Sequence, residues 1–580
     1  MFTHLIKKTA ERIKFLRSLS VNHWRHLFRN LTEKELNVIL ASLGLAVAAS
    51  VFLTGYDYWA LRAPAPAEGG SYAEGLVGEP RYLNPVLASA NEVDRDLTTL
   101  IFSGLVKHDE SGRIVPDLAE SYEIKDNGKT YEFTLRDGLS WPDKKPFTSD
   151  DVIFTINLIK DSKFQSPLKN SWQGVRVEKI DEARLVMKLP VEYEPFLENA
   201  TVGILPQHLW ANIQPQNFLL TQLNLKPVGL GQYQLAKITK NASGSVRSME
   251  FSPNPRYHER ANIARLTLRF YDNQENVITA YKRREIDGFS LNSSLEKEEL
   301  TRSRSVKFYN IKLPRYFAVF FNQTASEVLK ETEVRRALAY AVNRAAILEE
   351  ILKGEAQMQN GPFSFNLLDI GDPETIYEFD AERARNILEK ANWKMADDGL
   401  RQKKIKGKNT KLELVLTTTD WPELTRVAAM IQKNWENIGV KVNLDIVPVN
   451  AVQTQTIRPR QYEALLFGEV LGLNPDPFSF WHSTQRKDPG LNLALYNNNK
   501  VDGLLESARQ ENDEQKRIKK YREFQEILMK EIPAVFLYSP NYTYAVSKKV
   551  NGVVVEAVNT PSQRFENINK WHIATKRVRK

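Results

Sequence analysis

Nineteen consecutive residues without a charge, Leu36 to Thr54, divide this chain into parts that belong on opposite sides of an apolar layer. As a helix rising about 1.5 Å per residue, such a run spans about 28 Å, close to the hydrocarbon thickness of a bilayer. Tyr56, Tyr58 and Trp59 follow it where an interfacial aromatic belt belongs. The spacing therefore predicts a single transmembrane anchor over residues 36–56. A cleavable signal peptide is the alternative, because Ala46-Val47-Ala48 has the small-x-small pattern of a cleavage site. Against it, the basic stretch of 35 residues ahead of the run is far longer than a signal peptide's charged region.

That stretch, residues 1–35, holds eight Lys or Arg against Glu11, Glu33 and Glu35, a net +5 out of the chain's +9. The positive-inside rule puts this arm in the cytoplasm and the rest outside, in the periplasm or at the cell surface, as a single-pass membrane protein. Residues 57–75, with Ala63-Pro64-Ala65-Pro66-Ala67 and Gly69-Gly70, read as a tether partly stiffened by proline. The mild basicity beyond it argues against nucleic acid, and the tail Lys576-Arg577-Arg579-Lys580 reads as a solvated end.

The remainder is globular in composition, 42% hydrophobic and 26% charged in 580 residues, which is long enough for two lobes or more. The chain has no cysteine. That excludes disulfides, thiol nucleophiles and cysteine-ligated metal sites, and no lipid-modified N-terminal cysteine is expected. The eight histidines are scattered; only His23 and His26 stand one helical turn apart, and they read as an amphipathic face. Gly128-Lys129-Thr130 lacks the upstream glycine of a phosphate loop, the position being Glu123, and Gly229 with Gly231 reads as a tight turn beside a strand. With no nucleophile elbow either, the expectation is no catalytic residue, no metal and no cofactor.

Local grammar is that of an α/β protein. Tyr131, Phe133 and Leu135 alternate with polar residues as a half-buried strand, preceded by the hairpin signal Asp126-Asn127-Gly128. Beyond Trp141 and Pro146, Thr148-Ser149-Asp150-Asp151 has capping-box spacing and predicts a helix with Val152, Ile153 and Ile156 on one face. Asp150-Asp151 is accounted for by that cap. Arg315 to Asn322 is an apolar run of strand length, and Val334, Leu338, Ala341, Val342, Ala345, Leu348 and Ile351 predict one helix with a core face. Leu424, Val427, Ala428, Ile431, Trp435 and Ile438 predict another, ended by Gly439 and followed by a strand in which Val440, Val442, Leu444 and Ile446 alternate. Tyr521, Phe524 and Leu528 followed by Pro533 to Tyr538 repeat that helix-to-strand step.

The stretch from Tyr131 to Ile156, YEFTLRDGLSWPDKKPFTSDDVIFTI, resembles the signature of the oligopeptide- and dipeptide-binding family, extracellular solute-binding family 5. The similarity continues in Tyr82-Leu83-Asn84-Pro85, Val228-Gly229-Leu230-Gly231-Gln232-Tyr233 and Val334-Arg335-Arg336-Ala337-Leu338, and covers roughly residues 76 to 560. The resemblance implies a two-lobed, type II periplasmic-binding-protein fold with a hinged cleft. Lobe 1 would take residues 76–315 and the return 543–580, and lobe 2 residues 316–542. It implies a monomeric receptor that captures peptides and delivers them to the permease of an ABC importer. Other ligands of the same fold are oligosaccharides, metal chelates and haem, and a surface sensor or adhesion module is a further alternative.

At the mouth of the cleft the resemblance points to Asn91, Trp421 and the segment Gly468 to Trp481 as ligand-binding, within which Glu469, Asn474, Asp476 and Trp481 are the candidates. In peptide-binding members an aspartate in this segment holds the ligand's amino terminus; here the position is Leu473, although Asp476-Pro477 after it is retained. The arginine that some dipeptide-binding members place before the Leu424 helix is Thr418 here. Glu469 is the candidate replacement for the missing carboxylate.

Overall fold

The structure is a computed structural model and describes residues 31–60, 62–88, 91–291, 294–301, 305–364, 369–449 and 451–579. The basic arm expected over residues 1–35, with His23 and His26, lies outside the described residues up to position 30. Two units separate along the chain, one of residues 1–67 with 575–580 and one of residues 68–574. In the first, Glu33–Ala60 is a helix of 28 residues, and its stretch Glu33–Tyr56 is long and apolar enough to cross a membrane. The stretch expected as a tether and the tail expected as a solvated end meet as a strand pair that the sequence reading did not foresee: Arg62–Pro66 pairs antiparallel with Thr575–Arg579, from Arg62 opposite Arg579 to Pro66 opposite Thr575, and Lys576 stays exposed. A two-stranded ribbon consists of edges alone, so the missing amide donors of Pro64 and Pro66 are tolerated there.

The second unit is built on one sheet of 12 strands. Numbered in chain order, they are β1 Ser71–Val77, β2 Tyr233–Lys240, β3 Val246–Pro253, β4 Arg265–Tyr271, β5 Gly288–Leu291 and β6 Val306–Lys312. Then come β7 Arg315–Phe321, β8 Ala356–Met358, β9 Glu413–Thr419, β10 Lys441–Val447, β11 Ala464–Val470 and β12 Ala534–Ser547. The order is β10-β9-β11-β7-β12-β5-β1-β4-β3-β2, with β6 and β8 also on β12.

One strand joins the halves. β12 runs for 14 residues: Ala534 to Tyr538 pairs with β7, and Asn541 to Ser547 pairs with β6. Because β6 and β7 are separated only by Leu313-Pro314, the chain crosses from one half to the other at two adjacent places. Two large cores lie on either side. One is made by buried side chains from Tyr316 to Tyr538, the other by Tyr72 to Leu313 together with Tyr542 to Trp571. This is a mixed α/β, two-lobed type II binding-protein architecture, and the expected run Pro533 to Tyr538 is the first half of a longer strand.

The signature stretch folds as its residues dictate. Thr130–Leu135 pairs with Ala119–Lys125 across the Asp126–Gly128 turn, where Asn127 takes the left-handed conformation at φ 54°. Ser149–Lys160 is a helix closed by the Thr148/Asp151 capping box. Asp151 does more than cap: its carboxylate also accepts from the Trp141 indole at 3.3 Å and the Gln207 amide at 2.8 Å, so one acid ties turn, helix and a later loop together. Val152 and Ile156 are buried, while Ile153 sits at the edge of that face.

The single helix expected from Val334 to Ile351 is broken. Thr332–Ala341 ends at Val342, and Asn343 starts a new turn by accepting from the Ala346 amide at 3.0 Å while its own amide donates to the Asn434 side chain at 2.8 Å. The break resets the helical phase, so Ala345 is exposed and Ile347 is buried instead. In β10 the alternation also slips, leaving Ile446 exposed and Val447 buried, as an edge strand allows. Gly229 and Gly231 permit close approach more than a turn: a Cβ on either would lie 2.1 Å and 2.4 Å from backbone atoms of Ile101.

Candidate functional site

Side chains on a strand alternate between its faces, and β7, emerging from the crossover at Pro314, shows the consequence at once. Arg315 and Phe317 line a cavity of about 480 Å³, while Tyr316 between them points the other way, into the lobe 2 core. The cavity lies within the usual range for small-ligand sites. Both halves of the sheet contribute walls: Ser290, Leu291 and Leu313 from one side, Ile351, Leu352 and Trp421 from the other, with Pro540 to Thr543 of β12 between them. Trp421 is 43% exposed and meets Phe317 edge-on at 6.3 Å, and Phe317 stacks on Tyr538 at 5.1 Å. The tryptophan is held there as the N-cap residue of the helix Pro422–Glu436, whose Pro422 occupies the first turn.

Glu423 on that helix reaches the cavity and accepts from the Tyr538 hydroxyl at 3.0 Å. Burial raises its carboxyl above the usual range, against the pull of Tyr538 and of the Arg315 charge. Burial likewise lowers the Arg315 pKa from its ordinary value, with Glu423 and Glu92 opposing.

Of the six residues expected to bind ligand, Trp421 lines this cavity and five do not. Asn91 is a helix cap: its side chain accepts from the Val93 amide at 3.0 Å and donates to the Glu79 carbonyl at 3.2 Å, which uses its polar atoms locally. Glu469, paired opposite Tyr316 in the sheet, is buried in lobe 2 and accepts from the Tyr316 hydroxyl. Burial holds its carboxyl well above the usual range, with only Tyr316 and the Arg460 charge opposing. A carboxyl so enclosed cannot replace an amine anchor in the cleft. Trp481 is also core, 1% exposed and packed on Phe320, Tyr496 and Phe536.

Asp476 already has a partner, Arg509 at 2.9 Å, and accepts from the Phe478 amide at 3.3 Å. Asn474 is half-buried beside it. Thr418 is fully buried and donates to the Leu466 carbonyl at 2.9 Å, so nothing from that position reaches the cavity.

The Gly468 to Trp481 segment does meet lobe 1. Leu473 packs its Cδ1 at Gly112, and its amide donates to the side chain of Asn559. Asn559 donates in turn to Glu198 at 3.1 Å, and Glu198 with Glu566 encloses His108. Burial alone would lower the His108 pKa, but the Glu566 and Glu198 carboxylates raise it to about 10. Among further contacts that join the lobes, the Arg509 guanidinium lies 5.1 Å from the Tyr193 ring, and Asn512 donates to the Asn127 carbonyl at 2.8 Å. A second cavity, of about 330 Å³, is lined by residues of lobe 1 alone, among them Arg95, Lys107 and Trp172. Among the described residues no cluster of metal-ligating side chains occurs.

Sequence reasoning missed Arg315, Phe317, Glu423 and Arg426 as cavity residues. The signal available was Arg315 itself, the one charge heading an otherwise apolar run.

The Glu469 environment has a measurable consequence. Its folded pKa is raised, so its contribution to stability is complete below the unfolded value of about 4.3 and is lost as pH rises through the folded pKa. Glu469→Gln should therefore gain stability relative to wild type as pH increases from 4 to 9, read as a widening difference in Tm. A constant difference across that range would mean that the carboxyl is ionised in the fold.

Comparison with known proteins agrees with this architecture. The oligopeptide-binding protein AppA of Bacillus subtilis (strain 168) is 26% identical over 526 residues, covering 88% of this chain and 92% of the relative. The dipeptide-binding protein of Escherichia coli (strain K12) is 23% identical over 518 residues, covering 85% and 93%. The structure of Bacillus subtilis AppA in complex with a nonapeptide superposes with a TM-score of 0.68 at 25% identity, over 88% of this chain and 100% of that one. The substrate-binding protein CtaP of Listeria monocytogenes shares the fold with a TM-score of 0.75 at 23% identity, over 87% and 99%. The model of bacterial extracellular solute-binding proteins, family 5 (middle region), matches residues 113–491, and the chain belongs to that family.

Proposed function

We propose that the protein is a membrane-anchored receptor that captures peptides between its two lobes and hands them to the permease of an ABC importer, without making or breaking bonds. The observation that carries this reading is the cavity at the double crossover, walled by both lobes and by the strand that joins them. That the AppA relative is an oligopeptide-binding protein, with a nonapeptide bound in its structure, favours a peptide over the other ligands of the fold. Residues 76–315 and 543–574 on one side and 316–542 on the other act as rigid bodies hinged at Leu313-Pro314 and Pro540-Asn541. An extended ligand is held mainly through its backbone, with Phe317 and Trp421 as apolar walls. The helix Glu33–Ala60 is the anchor, with the basic arm in the cytoplasm.

Native mass spectrometry of the full chain, purified in mild detergent from its own host, tests the ligand. Released masses that fragment as short peptides are the expected result. A homogeneous saccharide, chelate or haem mass would replace the peptide reading.

A further inference from the structure

Three acids and three cations line the cavity between the lobes, and their partners differ. Glu355 pairs with Lys297 at 2.7 Å and accepts from Thr543 at 2.8 Å. Glu423 accepts from Tyr538, and Glu92 has Arg95 at 3.6 Å. Of the cations, Lys353 is an exposed residue, and the two arginines are not matched in this way. Arg426 donates to the Pro422 carbonyl at 3.4 Å and acts on Glu423 through space. Arg315 makes no side-chain hydrogen bond and no ion pair among the described residues, and its Nε is buried without a partner. Glu423 and Glu92 act on it only through space.

A guanidinium offers up to five N–H donors in a planar fork that fits a carboxylate, and leaving it desolvated and unpaired is costly. It stands at the root of the hinge beside Phe317 and shares the cavity with Pro540 to Thr543 of β12. The position that the resemblance gives to an amine anchor is Leu473, which lies outside this cavity, and the neighbouring acids Glu469 and Asp476 are taken by Tyr316 and Arg509.

We propose that Arg315 anchors the ligand by a carboxylate, the C terminus of the peptide, so that recognition begins at the acid end of the ligand and not at its amine. This rests on the peptide reading above. The two N–H groups of the fork would donate to the two carboxylate oxygens.

The test uses the full chain in detergent and three tetrapeptide libraries. The first has a free C terminus and no Asp or Glu, the second is the same library amidated, and the third is amidated with one Glu per peptide. Free-acid peptides should bind at least about 30-fold more tightly than their amides, the range for truncating one partner of a buried charge pair. Arg315→Gln should erase that difference and Arg315→Lys should keep part of it. Equal binding of acid and amide by the wild-type protein, which needs no variant to fold, overturns the anchor and leaves the peptide reading standing. Recovery of binding by the third library overturns the C-terminal assignment in favour of an acidic side chain. Failure to capture any library overturns the peptide reading and the anchor together.

Discussion

Arg564→Ala should destabilise lobe 1 by about 3–5 kcal/mol, the cost of stripping the partner from buried ions. Arg564 is 1% exposed and donates to Asp96 at 2.9 and 2.7 Å and to Glu74 at 3.0 Å, while Glu74 is fully buried and accepts from the Tyr72 and Tyr544 hydroxyls. The guanidinium also lies over Phe565 at 4.0 Å and Tyr544 at 5.2 Å, so truncation removes packing as well as charge. Burial raises the Glu74 pKa even with Arg564 and both tyrosines opposing it. Without the arginine it rises further. A raised folded pKa favours the fold below the unfolded value and disfavours it as pH climbs through the folded one, so the defect should be smallest near pH 5 and grow toward pH 8. Urea unfolding at the two pH values reads it. Adding Glu74→Gln and Asp96→Asn to the alanine variant should recover part of the loss. A defect independent of pH and not relieved by those changes would mean that Arg564 acts through packing alone.

That cluster shows which parts of the protein its sequence exposes. Local rules were sufficient where one short stretch carries its own answer: the Thr148/Asp151 box, the left-handed Asn127 turn, and the buried stripe Leu424, Val427, Ala428, Ile431 and Trp435 all fold as their spacing requires. They failed where a distant residue decides. Nothing near Asn343 announces that the Asn434 side chain will take its amide and break a helix. Likewise Glu469 and Trp481 sit in a segment that meets the cleft, yet β7 across the sheet decides which way they point, with Tyr316 at one and Phe320 at the other. The same strand carries the cavity residues Arg315 and Phe317. Its period of two hides a functional face behind a core face, and composition cannot tell them apart. Asp476 was identified as an acid near the cleft, but Arg509, 33 positions later, already neutralises it.

The Arg509 contact separates folding from closure, because its partners lie on different lobes. Asp476 and Phe478, at 2.9 and 4.2 Å, belong to lobe 2 and stay with Arg509 whatever the lobes do; the Tyr193 ring belongs to lobe 1 and is met only when the lobes are together. Asp476 has its carboxyl raised by burial and pulled back by Arg509. Arg509→Ala should therefore cost lobe 2 about 3 kcal/mol, near the lower end for a broken buried pair because the arginine is partly exposed. Tyr193→Leu keeps apolar volume in lobe 1 and removes the ring over the cation, worth about 0.5–2 kcal/mol. If ligand binding draws on lobe closure, that loss passes into affinity as a reduction of about 2- to 30-fold, since a ligand's apparent affinity falls with the fraction of protein in its competent state. Titration of the tetrapeptide library into both variants, with urea unfolding alongside, distinguishes the two effects. Tyr193→Leu should weaken binding with little change in stability, and Arg509→Ala should do both. Unchanged affinity in Tyr193→Leu together with weakened binding in Arg509→Ala would confine Arg509 to holding lobe 2 in shape, and closure would then rest on other contacts between the lobes, among them Leu473–Asn559, Asn512–Asn127 and Lys297–Glu355.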